Sequence, residues 1–289
     1  MLSRLKTLVS HEGFRAHPVS MGMRCLAWAF HVATGRAPAF PLSRHGALIR
    51  VPATLRYTPV ASYVLRDWCE PELHYLEMFV QPGQTVIDIG ANIGLYTLKA
   101  ASLTGPSGRV IAVEPGAEAS RQLRANLALN DFPQVTVVQL ALSDHAGEAT
   151  LHHIPLGDDP QAYSLLPDSS AQTGEAVTID TLDALVARLG LDALHLVKMD
   201  VEGAEPLVIA GGRETLLRFH PIVIFEVNTR LLAEAAGQRN AAWQALKDLG
   251  YRFFRLQGGR LDSADGVGEA FGNLVAIHPA GPAPVREGR

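Results

Sequence analysis

Three groups of residues in this chain have the types and spacing for chemistry. The densest lies in L-V-K-M-D-V-E-G-A-E, where Lys198, Asp200, Glu202 and Glu205 fall within one short stretch. A second apolar run, I-V-I-F-E-V-N, ends on Glu226 and Asn228. Both runs are short and apolar, so each should be a strand that delivers its acids to one end of a sheet. Alternation places Lys198 and Asp200 on one face, with Glu202 following if the chain stays extended. Carboxylates crowded beside a lysine carry displaced pKa values, and one of them can act as a general base. A solvated salt-bridge cluster is the plainer reading; two apolar strands feeding acids into one crevice argue against it.

The second group is T-V-I-D-I-G-A-N-I-G-L-Y-T, from Thr85 to Thr97. Val86 to Ile89 reads as a strand, Gly90, Asn92 and Gly94 as a tight turn, and the residues from Ile93 onward as a helix. That arrangement brings backbone and a helix N-terminus to a ligand, and glycine there allows unusual φ and close approach. The dinucleotide fingerprint is G-x-G-x-x-G with a pyrophosphate on the helix end. Here the spacing is G-x-N-x-G and Asp88 precedes the first glycine. An acid in that place repels a pyrophosphate but suits a ligand with an ammonium group and no phosphate, such as S-adenosylmethionine.

The third group consists of acids on later strand ends. Glu114 closes I-A-V-E-P about 20 residues past the glycine loop, where an acid takes the hydroxyls of a ribose. Asp144, in A-L-S-D-H, stands where it could meet an adenine amino group, although Ser and Asp after a strand are also ordinary turn formers. The histidines offer no ligand spacing: His152 and His153 are adjacent and His195 lies on a strand expected to bury it.

Strands and helices must alternate to hold these stations. The apolar runs predict strands over Thr85–Ile89, Arg109–Glu114, Val135–Leu140, Leu194–Met199, Ile222–Val227, Tyr251–Leu256 and Asn273–Ile277, with helices between them. The expected fold is α/β, a Rossmann-like, mostly parallel sheet with helices on both faces. Its last two strands, joined by a polar Gly-rich loop, should pair antiparallel. Gly147 to Asp180 reads as an insertion with two short strands, a candidate lid or substrate loop. A helix starting at Pro71 and running toward Val80 leads into the first strand, and Glu72 and Tyr75 could reach the ligand mouth. Further upstream, Met21 to Thr34 reads as a capping helix ended by Gly35, and Ala47–Val51 with Ala53–Tyr57 as a small hairpin. The chain divides into an accessory segment, 1–69, a catalytic-type domain, 70–279, and a Pro/Gly-rich tail, 280–289, expected to be disordered.

With 289 residues, 47% hydrophobic and 19% charged, the composition is that of a globular protein. A net charge of -4 and a pI near 6.3 provide no overall basic field, which disfavours nucleic acid as a partner. Cys25 and Cys69 form neither a disulfide framework nor a zinc motif, which fits a reducing cytoplasm. No stretch is apolar for long enough to cross a bilayer. The first ten residues, M-L-S-R-L-K-T-L-V-S, could make weak peripheral membrane contact as a basic amphipathic helix, or pack on the domain.

Together V-I-D-I-G-A-N-I-G, E-P, A-L-S-D with Gly147, T-L-D-A-L, K-M-D-V-E-G-A-E with a following G-G, and the closing F-E resemble the FkbM-type methyltransferases over roughly Glu70 to Leu256. The resemblance implies a class I fold, S-adenosylmethionine as cofactor, and O-methylation of a sugar, glycan or secondary metabolite. It also implies that Asp88, Gly90, Asn92 and Gly94 bind the methionine part, Glu114 the ribose and Asp144 the adenine, with Asp200 to Glu205 bordering the transfer site. In-line attack by a substrate hydroxyl then needs a base, for which Asp200 comes first and Glu202 and Glu226 behind it, with Lys198 beside them. These carboxylates could instead hold sugar hydroxyls or a divalent ion, whose preferred ligands are carboxylate oxygens, but nothing in the sequence demands a metal. The rival readings are a nicotinamide-dependent oxidoreductase and a non-catalytic adenosyl-ligand-binding protein.

Overall fold

A computed structural model describes residues 11–153, 163–165, 174–227, 241–264 and 272–285. The first ten residues, Asn228 and much of the insertion between 154 and 173 therefore lie outside the described residues.

Helix α1 (Glu12–Ala16) and helix α2 (Pro18–Thr34) come first, the latter with proline in its first turn and Gly35 closing it in the left-handed conformation. Strands β1 (Ala39–Pro41) and β2 (Leu48–Arg50) form a hairpin, followed by helix α3 (Tyr57–Val64). The hairpin thus differs from the one read in the sequence. Ala47–Val51 supplies one arm, but its partner is the upstream Ala39–Pro41, because Ser43 to Gly46 makes the turn with Gly46 at φ 88°. Tyr57 opens a helix instead of ending a strand.

The helix expected from Pro71 to Val80 is broken into α4 (Pro71–His74) and a 3-10 turn over Leu76–Met78. Buried Lys99 explains the break. Its Nζ donates to the His74 carbonyl at 2.5 Å, the acceptor that Met78 N–H would use in a continuing helix, and Met78 N–H turns to Tyr75 O instead. Lys99 is balanced by Asp67 at 2.9 Å and Glu77 at 3.1 Å.

The core elements follow: β3 (Thr85–Ile89), α5 (Leu95–Thr104), β4 (Arg109–Val113), α6 (Ala117–Leu127) and β5 (Val135–Val138). The insertion folds as β6 (Ala141–Leu142), β7 (Gly147–His153), β8 (Tyr163–Ser164) and β9 (Gly174–Asp180), a separate sheet ordered β6-β9-β7-β8. After α7 (Leu182–Arg188) come β10 (Leu196–Met199), α8 (Glu205–Gly211), α9 (Arg213–Phe219), β11 (Ile222–Val227) and α10 (Ala241–Asp248). The chain closes with β12 (Arg252–Gln257), β13 (Arg260–Ser263) and β14 (Gly272–Ile277).

The main sheet has the order β13-β12-β14-β11-β10-β3-β4-β5. Its centre, from β11 to β5, is parallel, and β14 runs antiparallel between β11 and β12. Alternation divides the core into two layers. Ile87, Ile89, Val197, Met199, Val223 and Phe225 pack on one side with α7 to α10, and Val86, Leu196, Ile222 and Ile224 pack on the other with Tyr96 and Ala100 of α5. Asp88 and Lys198 share that second parity and are register neighbours on adjacent strands.

The N-terminal unit is welded to this domain. Met21, Trp28, Phe40, Ile49 and Tyr63 share a core with Ile93 and Leu98. The open edge of β2 is closed by two asparagines of the α6 region: Leu48 N–H donates to Asn130 Oδ1 and Arg50 N–H to Asn126 Oδ1, at 2.7 and 2.9 Å. Asn126 Nδ2 also donates to Ile93 O at 2.9 Å, so one amide joins the accessory hairpin to the glycine loop. Of the stretch read as a disordered tail, residues 280–285 are placed, with Val285 N–H donating to Met78 O at 2.8 Å.

Asn126→Ala should cost about 2 kcal/mol, since it leaves the part-buried Arg50 N–H and the buried Ile93 carbonyl without these partners. Urea unfolding of the variant against the parent chain measures it.

Candidate active site

At the carboxyl ends of the parallel strands, the loop after β3 presses against the loop after β10. Gly90 sits at φ 76°, and a Cβ there would collide with the carbonyl oxygen of Asp200. Glycine is therefore demanded twice, by conformation and by contact. Gly94, at φ 97°, is approached by the Leu123 side chain of α6, less closely than Gly90 is by backbone, and Asn92 takes the left-handed region at φ 48°, which asparagine tolerates.

Four amides of the loop already have acceptors within the chain. Gly90 and Ala91 N–H donate to Val113 O, Asn92 N–H to Glu114 Oε2 at 2.7 Å, and Gly94 N–H to Ala91 O. These donors cannot then form the nest that holds a pyrophosphate. Buried Asp88 lies beneath, accepting from Thr97 Oγ1 at 2.5 Å, its pKa raised to about 6 by burial. Glu114, also buried, accepts from Asn92 and Gly116 N–H, one on each oxygen, and burial lifts its pKa to about 7. Asn92 lines both cavities, and its Oδ1 is buried with no partner.

Two adjoining cavities share Gly90, Asn92, Asp200 and Glu202. The first, about 100 Å³, has Glu114 on its polar side and Leu140, Leu142, Leu151 and Leu165 on its apolar side. The second, about 230 Å³, is lined by Asp88, Tyr96, Lys198, Glu70, Tyr57 and Thr58. Together they reach the lower end of the roughly 300–1,000 Å³ of small-molecule sites.

Around the second cavity the charges are balanced on Lys198. Its Nζ, buried in the sheet, lies 3.5 Å from Asp200 Oδ2 and 5.0 Å from the centre of the Tyr96 ring. Burial would lower its pKa, but the carboxylates of Asp200, Glu70, Asp88 and Glu226 outweigh that and raise it. Oxygens of Asp200, Glu202 and Glu226 lie within 4.8 Å of one another, so the three acids converge as a group that could hold a cation or hydroxyls. Glu202 reaches the group by a left-handed turn, φ 50°, so the condition of continued extension is not met and the side chain arrives by the turn. Ser164 Oγ donates to the Glu202 carbonyl at 2.8 Å, which ties the insertion to this turn. The pKa of Glu226 is raised to about 9, first by burial and then by Asp200 and Glu202. Glu205 faces inward, accepting from Val201 N–H at 3.1 Å, and burial raises its pKa to about 7.

Of the residues singled out in the sequence, the structure brings together Asp88, Gly90, Asn92, Glu114, Lys198, Asp200, Glu202 and Glu226, with Gly94 behind the loop. Asp144 is not among them: it is turned outward, paired with His145 at 2.6 Å, and lines neither cavity. Glu72 is buried against Asn273, Tyr75 packs edge-on to Trp68 and His74, and His195 Nδ1 accepts from Thr85 N–H. The sequence reading missed Glu70, Tyr57, Thr58, Tyr96, Leu151 and Leu165. Glu70, held by Tyr96 Oη at 2.7 Å and Asn273 Nδ2 at 3.0 Å, had a faint signal as the residue before a helix-starting proline. The others come from the accessory unit, the helix and the insertion, and have none.

Residues 88–253 match the Methyltransferase FkbM domain. The chain belongs to this family. Among curated relatives, the FkbM chain is 28% identical over 255 residues to AMB antimetabolite synthetase AmbE of Pseudomonas aeruginosa, covering 73% of this chain and 12% of that protein. It is 28% identical to 2-O-methyltransferase NoeI of Sinorhizobium fredii, covering 50% of this chain and 63% of the relative. With 31-O-demethyl-FK506 methyltransferase FkbM of Streptomyces tacrolimicus the identity is 31%, over 46% of this chain and 60% of the relative. Each match spans less than two thirds of the relative's length. The cofactor of an FkbM methyltransferase domain is S-adenosylmethionine, and the residues fit it: a glycine that excludes a Cβ from the loop, a buried strand-end acid at Glu114, and a buried acceptor at Asn92 Oδ1 without a partner.

Gly90→Ala should weaken S-adenosylhomocysteine binding by at least about tenfold, since a side chain at this φ is strained even without the collision; titration calorimetry measures it. Glu226 predicts a pH effect. Its ordinary pKa of 4.5 is raised to about 9 on folding, so the stability it contributes is complete below about pH 4.5 and is lost as pH rises through 9. Melting temperatures of Glu226→Gln should accordingly fall less than those of the parent across that window.

Proposed function

We propose that this FkbM domain methylates a hydroxyl group of a sugar, glycan or secondary metabolite, with Asp200 as general base. The observation that carries the reading is the position of Asp200, on the wall common to both cavities and beside a buried ammonium. Two of the relatives carry O-methyl transfer in their names, which supports oxygen as the atom methylated.

In this reading Glu114 takes the ribose hydroxyls, and Asp88, Gly90, Asn92 and Gly94 shape the pocket for the methionine part. The adenine end falls to the apolar wall of Leu142, Leu151 and Leu165, with Asp144 outside it. When bound, the donor supplies a methyl group made electrophilic by the adjoining sulfonium. The chain then has to align a hydroxyl with that methyl and accept its proton. Asp200 takes the proton as the new C–O bond forms and the C–S bond breaks. Lys198, 3.5 Å away, faces that carboxylate with its buried ammonium. Glu226 holds its own proton at neutral pH and can donate a hydrogen bond to the acceptor or to Asp200. The acidic balance of the core domain supports an uncharged or cationic acceptor over a polyanion, with residues 61–289 carrying a net charge of -11.

Asp200→Asn should lower kcat by about 100-fold or more, while S-adenosylhomocysteine affinity stays within about threefold. Glu226→Gln should keep most of the rate, because an amide reproduces the donor. Labelled-methyl transfer to hydroxyl-bearing extract fractions, with mass spectrometry of the product, measures both. A full rate in Asp200→Asn would remove the base.

A further inference from the structure

Helix α2 has two apolar faces and only one of them is covered. Met21 and Trp28 point into the domain. On the opposite side Val19, Met23, Leu26 and Phe30 are 58–76% exposed. Their spacing, four, then three, then four residues, puts all four on one narrow stripe about 17 Å long at 1.5 Å per residue. Leu55 and Tyr57 add two more exposed apolar side chains in the segment tied to α2 by the bond from Trp28 Nε1 to Thr54 O, 2.9 Å. Single exposed hydrophobics are ordinary, but a continuous stripe of large ones marks an interaction surface.

The charge around the stripe says what covers it. Residues 1–60 contain eight arginines and lysines and one acid, Glu12, a net charge of +7 in a chain whose total is -4. Arg15 and Arg36, beyond the two ends of α2, and Arg56, between Leu55 and Tyr57, are exposed. An apolar stripe flanked by cations is the pattern that lies in the interface of an anionic bilayer, with apolar side chains at the acyl boundary and arginines at the phosphates. No helix among the described residues is long and apolar enough to cross a membrane, so the contact is peripheral.

We propose that α2, with Leu55 to Tyr57, docks the protein on an anionic lipid surface. A protein partner or an RNA is the less complete match: RNA has no use for the apolar stripe, and a second copy of this chain would bring the two cationic segments together. Tyr57 belongs both to the exposed group and to the wall of the second cavity. Docking therefore sets that cavity beside the headgroup layer. On the reading of the site given above, this selects an acceptor carried by a lipid.

The test uses the full chain and sedimentation with vesicles of about seven parts phosphatidylcholine to three parts phosphatidylglycerol, compared with pure phosphatidylcholine. Binding should be at least tenfold tighter to the anionic vesicles and should weaken with salt. The triple variant Met23→Ser/Leu26→Ser/Phe30→Ser should lose at least tenfold, and Arg36→Glu/Arg56→Glu should lose the preference for anionic lipid. Both should keep parental S-adenosylhomocysteine affinity, so a failure of docking is separable from a failure of the methyltransferase reading. Equal binding to both vesicles, a parental affinity in the triple variant, or RNA binding in place of lipid binding would overturn the proposal. So would a dimer in analytical ultracentrifugation that the triple variant dissolves, or dye binding to α2 that appears only when residues 2–10 are removed.

Discussion

The site depends on one contact, the approach of Gly90 to the carbonyl oxygen of Asp200. It clamps the first loop of the parallel sheet to the loop of its neighbouring strand, so that the two cavities share a wall. The contact exists because β3 and β10 are adjacent and in parallel register, Asp88 beside Lys198 and Ile89 beside Met199. Both chains reach the strand ends together, and only a residue without a Cβ lets their backbones close. Ligand sites in open parallel sheets sit at such ends because the crossover helices occupy the faces.

Given that closeness, the electrostatics follow. Asp88, Asp200, Glu202 and Glu226 are drawn into one small volume with Glu70 at its border, and Lys198 is the cation buried among them. The burden is not shared evenly. Glu226, more enclosed and facing two other acids, keeps its proton, whereas Asp200 has the lysine beside it and opens to both cavities. Two carboxyl groups of similar intrinsic acidity thereby stand in different electrostatic surroundings. The same parity that brings Lys198 to this face lays Tyr96 and Thr97 against it, so helix α5 closes the pocket it begins from.

The accessory unit is not a detachable decoration. Its core includes Ile93, a residue of the glycine loop, and Asn126 bonds the hairpin and that loop at once. It also furnishes Tyr57 and Thr58 to the second cavity. The part of the chain that carries the exposed apolar stripe therefore also borders the second cavity.

The sequence by itself determined the alternating sheet and the stations on it, because strand parity and glycine requirements are local and leave local marks. Asp88, Gly90, Asn92, Glu114 and the Lys198–Asp200 pair were legible for that reason, and the closing antiparallel pair was legible from its Gly-rich connection. Where each acid lies, and what it faces, came only with the tertiary contacts. Asp144 had the right place in the chain but turned to solvent and His145, while Glu70, Tyr57 and Leu165 reached the cavities from segments with no motif. Packing also broke the helix after Pro71, where Lys99, more than 20 residues onward, claims the His74 carbonyl. Burial, partner choice and the direction of a side chain are set by contacts between distant residues, and one strand's pattern holds no record of what faces it.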